Sequence, residues 1–299
     1  MPLWSPFVQW VDAVSPHLLR LTGWRSRSVQ TSLGRLHWFE VEGSGDGPPL
    51  VLLHGLSSRA ADHVVLVALL RRRHRRIVMP DLPGHGWSEG EAPEAEHLHT
   101  LLAEILPVMV PEPAWVMGNS MGGLVAVRLA QAAPERVAGL VLASPAGAPM
   151  SDAQIAEVQR IFTIPDHPSA LGFVDRLFGR RRGAPALVKH LVAAGVLRRA
   201  GIGAVRHILS RIRNEHLLRG EELAGLRMPI LLFWGAADRI LDAGQLDWYR
   251  RHLPAHAVVE TPEEFGHTPF FDRPREFADR LVAFVREARG RVGRDVTDG

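Results

Sequence analysis

Several short runs of this 299-residue chain are apolar without a polar break: Leu50-Val51-Leu52-Leu53, Ile77-Val78-Met79, Ala114-Trp115-Val116-Met117 and Ile230-Leu231-Leu232-Phe233-Trp234. A strand with one face in water alternates apolar and polar residues, so unbroken runs require cover on both faces, the condition of a parallel sheet. Helical spacing fills the intervals, over Ala61 to Arg71, Leu98 to Val110, Met121 to Ala132 and Arg275 to Arg289. Further strands are expected at Ser28 to Gln30, Arg35 to Val41, Val137 to Ala143 and Ala257 to Glu260. The fold class is therefore α/β, with a mostly parallel eight-stranded sheet carrying helices on both faces.

Strands stop between Ala146 and Arg227, where Pro165, Pro168, Gly179, Gly183, Pro185 and Gly201 divide the chain into short helices. In an open α/β sheet ligands bind outside the carboxyl ends of the strands, so an insertion leaving from such an end arches over the site as a helical cap. The expected organisation is an N-terminal amphipathic helix (1–25), a core in two parts (26–145 and 228–290), the cap (146–227) and a polar tail (291–299).

With no cysteine, disulfides, thiolate metal sites and cysteine nucleophiles are excluded. The pI of about 10.3 reflects a chain with one lysine, Lys189, one tyrosine, Tyr249, and a formal net charge of only +3. The basic clusters 71–76 and 180–182 could touch phosphates or anionic lipid, but no nucleic-acid recognition motif accompanies them and they read as solvated helix ends. No apolar stretch long enough to span a bilayer is present, nor a signal-peptide pattern. Phe7, Trp10, Val11, Val14, Leu18 and Leu21 recur at helical spacing; this helix either packs on the body or makes peripheral membrane contact. The expected location is the cytoplasm, with membrane association through that helix as the alternative.

The chemistry is concentrated at Gly118-Asn119-Ser120-Met121-Gly122, between an apolar strand and a helix. A sharp strand-to-helix turn holds the serine in a strained conformation with its hydroxyl above the sheet, and only small residues fit two positions before and after it. The Met121 N–H, at the helix N-terminus, can donate to an oxyanion there. A hydroxyl nucleophile needs a histidine base and an acid to orient it, in the order Ser, acid, His on loops at strand ends. Asp238 follows the strand 230–234 and His267 follows the last strand; Asp242 is the rival acid. A second oxyanion donor is expected from the Leu56 N–H in His54-Gly55-Leu56, with His54 supporting that loop. Ser57, Asn119, Phe162 and Phe178 are expected to contact the substrate, although Ser57 and Ser58 can equally cap the next helix. Among other apolar cap residues, Ile161, Phe173, Leu177 and Leu187 either line an acyl pocket or pack the cap's own core. Asp81-Leu82-Pro83-Gly84-His85-Gly86 reads as a structural turn with Asp81 bonding loop amides. Neither a metal-ligand pattern nor a dinucleotide or phosphate loop occurs, so no cofactor and no metal are expected.

These motifs, His54-Gly55, Asp81 to Gly86, Gly118 to Gly123, Asp238 and Gly266-His267, resemble the α/β-hydrolase superfamily from about Gly34 to Val285. The segment Gly118 to Gly123 with Ser144-Pro145-Ala146-Gly147 is similar to bacterial lipases and monoacylglycerol lipases. It also resembles hydrolases of carbon–carbon bonds, but Leu56-Ser57-Ser58-Arg59 and Thr268 after the histidine depart from their pattern. The resemblance implies a serine hydrolase cleaving a small-molecule carboxylic ester, of medium-chain or monoacyl type, through an acyl-enzyme. A carbon–carbon bond or lactone hydrolase and a non-catalytic binding protein are the alternatives.

Overall fold

A computed structural model describes Leu19 and residues 23–89, 95–179, 186–200 and 203–295. Of the N-terminal helix expected over 1–25, only Leu19, which is buried in the core, and residues 23–25 are described, and the last three are not helical: Gly23 is in a turn and Trp24 and Arg25 begin the first strand. Eight strands form one sheet: β1 (Trp24–Thr31), β2 (Gly34–Glu42), β3 (Leu50–Leu53), β4 (Arg76–Pro80), β5 (Ala114–Ser120), β6 (Val137–Pro145), β7 (Ile230–Phe233) and β8 (Val258–Glu260). Their order is β1-β2-β4-β3-β5-β6-β7-β8. β2 is antiparallel to both β1 and β4; every later pairing is parallel.

The unbroken apolar runs are explained by two cores. Leu50 and Leu52 enter one core and Val51 and Leu53 the other; Trp115 and Met117 oppose Ala114 and Val116 in the same way. Side chains point alternately to the two faces of a strand, so both faces of β3 and β5 are dry. Helices Ala95–Met109 and Met121–Ala132 supply residues to one core, and helices Val64–Leu70 and Pro274–Asp295 to the other, where Phe284 meets Trp115 edge-on at 5.6 Å. The last helix continues six residues past the expected Arg289, into the stretch read as a tail, of which 296–299 lie outside the described residues.

Chain order reverses between β3 and its neighbours: β4 lies on one side and β5 on the other. That switch leaves a crevice at the carboxyl ends of β3 and β5, where the His54-Gly55 turn faces Ser120. The edge strand β1 buries Trp24 and packs Val29 against the core but is otherwise polar, with Arg25 paired to Glu42 and Arg27 to Glu40.

Between β6 and β7 the described residues form helices Asp152–Phe162, His167–Leu177, Ala186–Ala200, Gly203–Ser210 and Gly220–Ala224, and no strand. Ser151 caps the first through a reciprocal bond with Gln154, and Asp166 caps the second through the Ser169 N–H. Pro168 therefore opens a helix rather than breaking one, because the first turn needs no intrahelical N–H there. Ile161, Phe162, Phe173, Leu177 and Phe178 are buried, whereas Leu187, expected among the pocket or core residues, is 61% exposed.

Candidate active site

β5 runs directly into helix Met121–Ala132, and Ser120 makes the corner at φ 53° and ψ −122°. Non-glycine residues seldom adopt positive φ, at a cost of about 1–3 kcal/mol. The surroundings enforce it. A Cβ on Gly118 would collide with the Gly122 carbonyl, one on Gly122 with the Leu53 carbonyl, and one on Gly123 would lie 2.5 Å from Pro145 Cβ. Gly55, after β3, lets the neighbouring loop come equally near: a Cβ there would stand 3.2 Å from Ser120 Cβ.

After β7 the chain turns so that Asp238 Oδ1 accepts the Ile240 and Leu241 N–H groups, at 2.8 and 3.1 Å. Its other oxygen, Oδ2, lies 2.8 Å from His267 Nδ1, with both side chains almost fully buried. One carboxylate oxygen is thus fixed by backbone and the other aims at the imidazole. Because Nδ1 faces Asp238, Nε2 is the nitrogen left to exchange a proton. Asp242, the rival acid, caps helix Ala243–His252 through the Gly244 and Gln245 N–H groups.

The Asn119 carboxamide is a brace. Its Nδ2 donates to the Ala143 carbonyl at 2.8 Å and to the His267 carbonyl at 2.9 Å, fastening the histidine loop to the strand that carries Ser120. On the opposite side, His54 donates from Nδ1 to the Gly55 carbonyl and accepts the Leu82 N–H at Nε2. Both ring nitrogens are committed to the neutral form, and burial pushes its pKa down to about 3. His54 accordingly supports the loop. Asp81 accepts the Ala60 and Trp87 N–H groups and approaches His37 Nδ1 at 2.8 Å.

Leu56, Ser120 and Met121 line one cavity of about 120 Å³, joined by Leu124, Val158, Phe162 and Ile212. Phe162, which stands edge-on to Phe173, is the one expected substrate contact found there. Asn119 is buried as the brace just described. Ser57 sits at φ 62° with its carbonyl turned to Arg199, and it is Ser58, not Ser57, that bonds Asp62 at the next helical turn. Phe178 stacks on Phe271, its backbone packed against Gly266 of the histidine loop. These three do not line the cavity, because their positions are set by contacts with residues distant in sequence. The cavity's polar lining is His85, Ser120, His207, Arg211, His216 and Gln245.

Further groups tie the inserted helices to the site. Asp272 accepts the Gly266 N–H at 2.6 Å and the Gly179 N–H at 2.8 Å, joining the histidine loop to the end of helix His167–Leu177. Burial is the main cause of its raised pKa. Arg239, beside Asp238, donates to the carbonyls of Asp175 and Phe178. No cluster of three or more histidine or acidic side chains suited to a metal occurs among the described residues. Nor is any described helix long and apolar enough to cross a membrane.

Residues 50–280 match the family model described as "Alpha/beta hydrolase family". A pimeloyl-acyl-carrier protein methyl ester esterase of Nitrosomonas europaea is 31% identical over 258 residues, covering 79% of this chain and 95% of its own. The dihydrolipoyllysine-residue acetyltransferase component of an acetoin cleaving system in Pseudomonas putida is 30% identical over 267 residues, covering 84% of this chain and 67% of its own. Among solved structures, that of a membrane phospholipase A described as a bacterial virulence factor superposes with a TM-score of 0.79 at 25% identity, over 95% of this chain and 93% of that one.

Proposed function

The chain belongs to the alpha/beta hydrolase family, and on that footing we propose that it is a serine esterase acting on a small carboxylic ester. The carrying observation is the buried Asp238–His267 contact, tied through Asn119 to the strand whose last residue is a serine at positive φ that opens on an apolar cavity. Relatives named for ester cleavage support the same bond type.

In the proposed reaction His267 Nε2 takes the Ser120 proton as Oγ attacks the ester carbonyl. The N–H groups of Leu56 and Met121 hold the resulting oxyanion, and Asp238 stabilises the imidazolium. The imidazolium then protonates the leaving alcohol, and a water deprotonated by His267 releases the acid from Ser120. The segment 146–227 acts as the cap, and the apolar lining supplied by Val158, Phe162 and Ile212 suits a medium-chain or monoacyl substrate.

The test is hydrolysis of p-nitrophenyl esters from two to sixteen carbons by wild type and Ser120→Ala. Turnover should fall on the order of 10⁴-fold or more in the variant while its circular dichroism is unchanged. Near-normal turnover in the variant would refute the assignment. No ester cleavage at any length by folded wild type would transfer the reading to a carbon–carbon bond or lactone hydrolase, or to a binding protein.

A further inference from the structure

We infer that Arg199, on an inserted helix far from the nucleophile in sequence, is a positioning residue that holds the oxyanion side of the site in register. The inference rests on the serine-esterase reading. Arg199 stands in the last turn of helix Ala186–Ala200, and its side chain is only 14% exposed. Its Nε–H donates to the Ser57 carbonyl at 2.8 Å, across 142 positions of sequence. The same guanidinium places Nη2 3.6 Å from Asp62 Oδ2. Gly195, one turn earlier, leaves room for it: a Cβ there would come within 3.3 Å of Nη1.

The recipient is unusual. Ser57 is a non-glycine residue at φ 62°, immediately after Leu56, and its buried hydroxyl has no partner. Asp62 holds the following residues, accepting Ser58 Oγ at 2.8 Å and the Arg59 N–H at 3.2 Å. Burial alone would raise the Asp62 pKa, but Arg199, Arg59 and Ser58 outweigh it and keep the carboxylate ionised. The loop 55–59 is therefore held by the largely buried Asp62 carboxylate, which its own Arg59 also faces, and by the Arg199 guanidinium, which comes from the inserted helices. A strained φ persists only where surrounding contacts over-determine it. Without Arg199 the Ser57 carbonyl loses its charged donor, Ser57 relaxes toward negative φ, and the adjoining Leu56 N–H turns from the oxyanion position.

The experiment uses the full-length protein with Arg199→Met and Arg199→Lys, assayed on p-nitrophenyl acetate, whose acyl group is too short to test the apolar cavity. A trifluoromethyl ketone, which forms a hemiketal oxyanion on the serine, reports the oxyanion site directly. Losing one oxyanion donor costs about 10²–10³-fold, so a displaced donor should lower kcat of Arg199→Met about 10- to 100-fold, with KM within about twofold. Ketone affinity should fall by the same factor. Arg199→Lys keeps the charge beside Asp62 but not the Nε–H, and should lose about three- to tenfold in both readouts. Unchanged kcat and ketone affinity in folded Arg199→Lys overturn the inference even if Arg199→Met cannot be purified. A kcat loss without any loss of ketone affinity overturns it as well. Wild type without Ser120-dependent turnover would instead overturn the esterase reading beneath it.

Discussion

The turns at the carboxyl ends of β3, β5 and β7 and the helices inserted between β6 and β7 face the same cavity, but they are held in different ways. The turns are fixed by backbone: Gly118 and Gly122 admit no Cβ, Asp238 is anchored by two N–H groups, and Asn119 ties strand to loop through two carbonyls. The inserted helices present side chains to the cavity and meet the body largely through side-chain hydrogen bonds, among them Arg199 on Ser57, Arg128 on His216 and Asp272 on Gly179. On the proposed mechanism, backbone constraints of the first kind fix the atoms that meet the reacting carbonyl. Side-chain packing of the second kind tolerates exchange of volume, so on the reading proposed above reaction type belongs to the turns, one of them braced by Arg199, and substrate shape to the inserted side chains that line the cavity.

That division can be broken most sharply at the acid. Asp238→Asn should lower kcat about 10⁴-fold on esters of every length, by leaving the imidazole in the wrong tautomer; a loss confined to long esters would place Asp238 in substrate binding. On the insertion, Phe162→Ala should raise KM for an octanoyl ester about tenfold while leaving the acetyl ester within about twofold. Equal losses on both would show that Phe162 contributes to chemistry as well as to shape. Acid separates the regions through stability. Burial holds His54 and His63, both in the body, to pKa values of about 3 and about 4, well below the ordinary 6.5. The unfolded chain binds protons that the folded one refuses, so their contribution is complete above pH 6.5 and is lost as pH falls toward 4 for His63 and toward 3 for His54. The slope should approach about 1.4 kcal/mol per pH unit for each fully linked histidine. Guanidinium unfolding at pH 7.5 and 5.0 measures it, and His63→Phe should remove one proton's share; an unchanged slope would exclude His63 from the linkage. The smallest effect is expected at Asp242→Ala, which should cost about 1 kcal/mol of stability by removing a helix cap and change kcat less than twofold.

Much of the body was legible because its constraints are local. Residues 50–53 and 115–117 betray cover on both faces by their lack of alternation, and glycines on either side of Ser120 announce a sharp turn. Asp238 and Asp242 illustrate the limit: both follow the same strand, and only the observed turn distinguishes the residue that caps a helix from the one that faces His267. Phe178 and Ser57 were expected at the substrate and lie elsewhere, because Phe271 and Arg199, far along the chain, set their places. Arg199 and Asp272 carried no signal, since the hydrogen bonds that tie them to Ser57 and Gly179 span 142 and 93 positions and no periodicity records such a contact.

The charged outer strand β1 has a consequence for the protein as a colloid. A sheet that ends in a flat, apolar strand invites a second molecule to continue it, and the usual fate is growth into aggregates. Here Arg25 and Arg27 occupy that edge, each engaged with a glutamate of β2, so a docking strand would have to bury two arginines to add itself. Exchanging both for valine would leave fold and hydrolysis in place and lower the concentration at which the protein remains dispersed.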